Sequence, residues 1–200
     1  MLSLKLQVKK LIKLTDDLDD IIRGCIEGDR KCQEDLYRIF SPGMYSVCLR
    51  YASDADEAGD YLQEGFITVF SKIKEYRKEG SFEGWVRRIM VTTALQLLRK
   101  KRQMYILNET ITEDRDYEVP DIQYYLDKED LLEMIRVLPV NQRMVFNLYA
   151  IEGYNHTEIS DMTGIPENTS KSHLHRARIA LKEMLERSSR RESERLKRNG

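Results

Sequence analysis

The stretch that decides the fold is NHTEISDMTGIPENTSKSHLHRAR, Asn155 to Arg178. Asn155-His156-Thr157-Glu158 has the form of a capping box, in which the Asn side chain takes a backbone N–H and the Glu reaches back. A short helix follows, with Ile159 and Met162 turned inward. Thr163-Gly164-Ile165 reads as a tight turn, because Gly enters the left-handed region without a Cβ penalty. Pro166 suits the start of a new helix, where a backbone N–H has no partner to lose. The new helix runs to about Leu185, with Leu174, Ala177, Leu181 and Leu185 facing in. A short helix, a Gly turn and a longer polar helix make a helix-turn-helix, whose second helix fits a DNA major groove. From Thr169 to Lys182 there is no acid. Thr169, Lys171, Ser172, His173, His175 and Arg176 are therefore the candidates for base edges and phosphates. The competing reading is a structural three-helix bundle with a solvated polar face.

Upstream, Leu138-Pro139 introduces a helix from about Val140 to Ile151, with Val145, Leu148 and Tyr149 expected inward and Gly153 ending it. Downstream, residues 188–200 read as a frayed charged tail. Between Asn108 and Glu133 lie ten acids against Arg115 and Lys128, with Pro120 in the middle. This marks residues 104–126 as a flexible acidic linker. The chain thus divides into an extension (1–14), an N-terminal helical domain (15–103), the linker, a C-terminal domain (127–187) and the tail.

The N-terminal domain has helical spacing throughout. Thr15 or Asp16 can cap a first helix that Gly28 ends. A second helix starts near Asp29, Ser41-Pro42-Gly43 is expected to break it, and a third spans Met44 to Tyr51. Ser53 or Asp54 caps a longer helix whose stripe Ala58, Leu62, Phe66, Val69, Ile73 is a buried face. Asp56, Asp60, Gln63, Glu64 and Ile67 fall on its other side. The next helix, opened by Ser81, contains WVRRIMVTTALQLLRKKR, Trp85 to Arg102, with no acid. Val86, Ile89, Met90, Thr93, Ala94 and Leu97 form its core stripe. Arg88, Thr92, Gln96 and Arg99 share a second face, with Trp85 one turn before and Lys100 beside it. An aromatic among cations is the footprint of a nucleic-acid surface, because bases stack on rings and cations offset phosphate charge. The bland alternative is a core Trp and bases complementing a helix C-terminus.

The totals agree with this organisation. The 200 residues carry 33 Lys+Arg and 34 Asp+Glu, a net charge of −1 that segregates along the chain. Few Pro and Gly, no hairpin signal and abundant Leu, Ile, Glu, Lys and Arg point to an all-α protein of two small helical domains. No uncharged run approaches the roughly 20 residues of a membrane span, so no direct membrane insertion is expected. Cys25, Cys32 and Cys48 show no CxxC spacing and read as reduced, mostly buried thiols, which fits a cytoplasmic protein. His173 and His175 diverge on a helix and do not share a metal ion easily. With no GxSxG, P-loop or HExxH, neither an enzyme nor a cofactor or small-molecule substrate is expected.

In this order, these features resemble the extracytoplasmic-function sigma factors of the sigma-70 family. Asp56-Glu57-Ala58-Gly59-Asp60-Tyr61-Leu62-Gln63-Glu64-Gly65-Phe66 resembles the polymerase-binding helix. Phe82-Glu83-Gly84-Trp85-Val86-Arg87-Arg88-Ile89 through Leu98-Arg99-Lys100 is similar to the helix that opens and reads the −10 element. Ile151-Glu152-Gly153-Tyr154 to Glu158-Ile159, then Thr169-Ser170-Lys171-Ser172 to Arg176-Ala177-Arg178, resembles the −35-reading helix-turn-helix. The resemblance implies partners: core RNA polymerase (the β′ clamp helices and the β flap), promoter DNA and an anti-sigma protein. It gives Asp56, Asp60, Gln63, Glu64 and Ile67 to the polymerase, and Trp85, Arg88, Thr92, Gln96, Arg99 and Lys100 to the melted −10 strand. The chain departs from the pattern at Thr92 (usually Asn), Gln96 (often Asp), Ser170 (usually Val or a small apolar residue) and Gly59 (commonly an acid). Residues 1–14 have no counterpart. The other reading is a dimeric helix-turn-helix regulator that binds a palindrome without polymerase.

Overall fold

The computed structural model describes residues 17–108 and 128–198, with side chains described over 17–101 and 131–189. The extension, most of the linker and the proposed cap at Thr15 or Asp16 lie outside the described residues. The described chain is helical, with no strand among those residues. Helix α1 covers 17–27. It is followed by α2 (Arg30–Leu49), α3 (Ala55–Lys72) with a 3-10 turn at Ile73–Glu75, and α4 (Phe82–Asn108). The C-terminal group is α5 (Lys128–Arg136), α6 (Val140–Phe146) running into a π turn (Asn147–Ile151), α7 (His156–Thr163) and α8 (Glu167–Arg198).

The N-terminal group is a bundle of α2, α3 and α4 in mutual contact. Asp29 caps α2 by accepting from the Cys32 N–H at 3.0 Å, and Asp54 caps α3 by accepting from the Glu57 N–H at 2.8 Å. The expected stripe on α3 is buried, from Ala58 through Ile73. On α4, Val86, Met90, Thr93 and Ala94 are buried as the spacing requires, and Val91 and Leu95 join them. A Cβ on Gly65 would meet the Met90 sulfur at 2.2 Å, so this glycine permits the close approach of α3 to α4. Cys25 and Cys48 are buried free thiols, their pKa values pushed up by burial to about 11 and about 12. They stay protonated and serve as small hydrophobes.

The structure corrects three boundaries and one helical phase. Helix α2 passes through Ser41-Pro42-Gly43 without a break, because its stripe Leu36, Phe40, Met44, Val47, Cys48 stays in phase across Pro42. Burial of that stripe outweighs the one backbone bond Pro removes, and Pro42 itself faces solvent. Helix α4 continues to Asn108, past the expected start of the linker at 104. Helix α8 continues to Arg198 where a frayed tail was expected. No Gly or Pro interrupts 167–199, and pairs such as Lys182–Glu186 (3.9 Å) and Arg187–Glu183 (3.7 Å) line its surface. The helix from Val140 widens into the π turn, and Tyr149, expected inward, is 36% exposed.

The two groups touch. Val145, Leu148, Ile159 and Leu174 belong to the same buried cluster as Tyr51, Val86 and Met90, and α7 packs on α4. A smaller cluster, including Met134, Ile135, Leu138, Leu181 and Met184, holds α5 against α8.

Candidate nucleic-acid interface

The helix-turn-helix forms as its sequence dictates. Asn155 accepts from the Glu158 N–H at 3.0 Å, and the Glu158 carboxylate accepts from the Asn155 N–H at 2.8 Å. Gly164 closes α7 with φ +74°. A non-glycine residue would be strained there. Thr163 donates back to the Ile159 carbonyl at 2.6 Å and accepts from the Ile165 N–H at 3.2 Å. Thr157 then reaches across the turn to Glu167 at 3.0 Å.

Ser170 explains its own departure from the family pattern. It is fully buried, and its hydroxyl lies 2.9 Å from His156 Nδ1. The pair fixes the roll of α8 against α7 by a hydrogen bond where an apolar side chain would do so by contact. The His156 ring stacks on Tyr149, 4.7 Å between centroids, and the Arg178 guanidinium sits 5.7 Å from the centroid of the Tyr149 ring. Burial, and then the charge of Lys171, hold the His156 pKa below its usual value. The ring is therefore neutral near pH 7.

On α8, Thr169, Lys171, Ser172, His175 and Arg176 are exposed and His173 is half-buried. Lys171 stands 3.9 Å from Glu167, and Ser172 donates to the Asn168 carbonyl at 3.0 Å. On α4, Arg88, Thr92, Gln96, Arg99 and Lys100 are all exposed. Thr92 donates to the Arg88 carbonyl at 2.8 Å, which leaves its oxygen as an acceptor. Trp85 is half-buried in an aromatic group, 5.5 Å from Phe82 and 5.6 Å from Tyr76. The core holds one side of the indole.

The basic run of α4 divides by direction. Lys101 turns toward α3 and pairs with Glu57 at 2.8 Å. Burial alone would raise the Glu57 pKa. The bonds from Lys101, Ser53 and Tyr61 outweigh it and bring the carboxyl down to about 2. Arg87 turns toward the C-terminal group instead, as described below. The acidic residues of α3 divide likewise. Glu57 points in, whereas Asp56, Asp60, Gln63 and Glu64 are exposed on the turns of α3 that lead up to Ile67. At 63%, Ile67 is the most exposed large apolar side chain among the described residues. An exposed apolar side chain at the end of an acidic stripe suits a partner that offers both basic and apolar contacts.

Sequence reasoning missed one constellation. Glu152, its side chain 6% exposed, pairs with Arg50 at 2.7 Å and with Arg87 at 2.8 Å. Arg143 donates to the Tyr51 carbonyl at 3.1 Å, Asn147 to the Arg50 carbonyl at 2.7 Å, and Arg136 to the Ser53 carbonyl at 3.2 Å. The partners stand 65 to 102 positions apart, so no local pattern could have announced them. His, Cys and acidic side chains form no potential metal cluster among the described residues. Nor is any of their helices long and apolar enough to cross a membrane.

The family pattern described as sigma-70 region 2 matches residues 36–104, and that described as sigma-70 region 4 matches residues 128–181. Together they cover more than half the chain. SigE of Mycolicibacterium smegmatis, an ECF RNA polymerase sigma factor, is 31% identical over 163 residues. That match takes in 78% of this chain but only 62% of SigE. The ECF sigma factor SigW of Bacillus subtilis is 27% identical over 176 residues, 82% of this chain and 94% of SigW. Among solved structures, the sigma factor RpoE of Bartonella quintana, in complex with the anti-sigma factor NepR, has a similar fold. Its TM-score is 0.50 at 20% identity, over 76% of this chain and 96% of that one. Two region patterns in the right order, on a chain already carrying a helix-turn-helix and a helix with an exposed basic face, place it: the chain belongs to the sigma-70 family of RNA polymerase sigma factors, in its extracytoplasmic-function group.

Proposed function

We propose that this chain is the promoter-specificity subunit of a bacterial RNA polymerase and carries no catalytic centre of its own. Core polymerase docks on the α3 face of Asp56, Asp60, Gln63, Glu64 and Ile67. The β′ clamp helices are the partner there, with the β flap a second contact. Thr169, Lys171, Ser172, His173, His175 and Arg176 read the −35 duplex in the major groove. Trp85, Arg88, Thr92, Gln96, Arg99 and Lys100 hold the melted −10 strand by stacking and charge. Residues 15–103 and 127–187 act as separate binding units, and the polymerase raises the affinity of each for DNA by holding both in place. The protein works in the cytoplasm, and an anti-sigma protein restrains it, as NepR is bound to the Bartonella quintana factor.

The observation that carries this reading is the sidedness of α3 and α4. Each buries one stripe, completely on α3 and with Ile89 and Leu97 half-buried on α4, and turns a chemically distinct stripe outward, acidic with an exposed Ile67 on one and basic on the other. The test is transcription in vitro with purified core enzyme on genomic fragments. New start sites are expected with the wild-type chain, and none with Ile67→Asp, whose helicity should match wild type. Absence of any new start site with wild type would sink the reading. A homodimer binding a palindrome without polymerase would favour the regulator instead.

A further inference from the structure

We infer that the free chain is a closed molecule latched by Glu152, and that it opens to serve as a promoter factor. The inference rests on the function proposed above for what opening achieves. The latch itself stands on geometry alone.

The Glu152 carboxylate is held on one oxygen by Arg50, just past the end of α2, and on the other by Arg87 on α4. The π turn delivers it there. The Glu152 N–H bonds the Asn147 carbonyl at 2.9 Å, and the chain then reverses at Gly153, where φ is +82°. Around the carboxylate, side chains of Arg136, Arg143 and Asn147 donate to the carbonyls of Ser53, Tyr51 and Arg50. Those carbonyls follow the C-terminus of α2, where the last backbone acceptors of a helix lack partners and positive charge is favoured. Arg50 caps α2 through its own backbone, and the C-terminal group satisfies the carbonyls of the turn that follows. Val145 and Leu148, fully buried beside Tyr51, complete the contact.

This closed form cannot read a whole promoter. Elements centred at −35 and −10 lie about 25 base pairs apart, roughly 85 Å along duplex DNA at 3.4 Å per pair. Here the reading surfaces ride on units in direct contact, with α7 against α4. Residues 109–127 between the units permit separation, since 20 steps of chain reach at most about 70 Å beyond the units themselves. The contact is also built to open. The Tyr51 hydroxyl and the side-chain amide oxygen (Oδ1) of Asn147 are buried in it with no hydrogen-bond partner among the described residues. Unpaired polar atoms lower the net stability of a closed interface. The occupant of each surface is the other half of the same chain, so the closed form competes with any partner that needs the units apart.

The test uses the full-length chain in three forms: wild type, E152Q and the charge-swapped pair E152R with R50E. Small-angle X-ray scattering reads the separation of the units, and circular dichroism reads helicity. Wild type should scatter as one compact particle. The isosteric E152Q should keep its helicity and scatter as two separated units, and the swap should restore part of the compactness. Binding to purified core polymerase should be about tenfold tighter for E152Q, because the closed population reduces apparent affinity by the competent fraction. An extended wild type, or an E152Q variant as compact as wild type, overturns the latch. Equal core affinity of an open E152Q and a closed wild type overturns its inhibitory role. If neither form binds core, the proposed function fails, while the scattering result still decides the closure.

Discussion

Ser170 and His156 are the smallest unit that seats α8 on α7. With the serine fully buried, its hydroxyl and the imidazole answer each other, alongside the Thr157–Glu167 bond and the buried Ile159 and Leu174. Ser170→Ala should cost about 1 kcal/mol, the typical penalty for leaving a hydrogen-bonding group unpaired, read as a lower urea midpoint. Glu57 makes a second test at this scale. Its folded carboxyl sits at about 2, below an unfolded value near 4.3. A depressed carboxyl contributes stability that is fully present above the unfolded value and is lost as pH falls toward the folded one. Urea midpoints of wild type and Glu57→Gln should differ at pH 6 to 7 and converge as pH drops from about 4.5 toward 2. A gap that persists unchanged in acid would show that the bonds from Lys101, Ser53 and Tyr61 do not act through the charge.

At the scale of the element, α2 carries the most instructive disagreement with local rules. Pro42 removes one backbone bond in the middle of a 20-residue helix. Five buried side chains in register, each contributing on the order of 2 kcal/mol, hold the helix through it. Pro42→Ala should therefore raise the melting temperature, by up to about 3 kcal/mol of helix propensity, offset in part by a freer unfolded chain. A lower melting temperature would mean that Pro42 fixes a bend the bundle requires. The helix-turn-helix is the opposite case. Its capping box and positive-φ glycine both follow local rules, so each could be read directly from Asn155 to Gly164. Tyr149 could not, because helical periodicity assumes 3.6 residues per turn and the π turn at Asn147 shifts the phase.

For the whole molecule, charge is organised by segment. The acids between Glu109 and Glu118, with Asp121, stand in the chain between the two basic segments proposed to bind DNA. Under the proposed function, their charge would repel DNA approaching the free chain. Replacing them with Ser should raise the affinity of the free chain for duplex DNA, most strongly at low salt, where screening is weakest. A fluorescence titration at two ionic strengths reads this. Unchanged affinity would remove the linker from the account.

Most of the fold was legible because its signals are local: apolar stripes at helical spacing, caps, a turn glycine, and an acidic run between two basic ones. The same holds for the faces of α3 and α4, since a stripe that is buried obliges the opposite stripe to be exposed. What tertiary structure alone decided is the meeting of Glu152 with Arg50 and Arg87, the turning of Lys101 toward Glu57, and the pairing of Ser170 with His156. In the sequence each of these is an ordinary polar residue. Its partner is chosen by how helices pack, through contacts between residues far apart in the chain, and no periodicity within one helix encodes that choice.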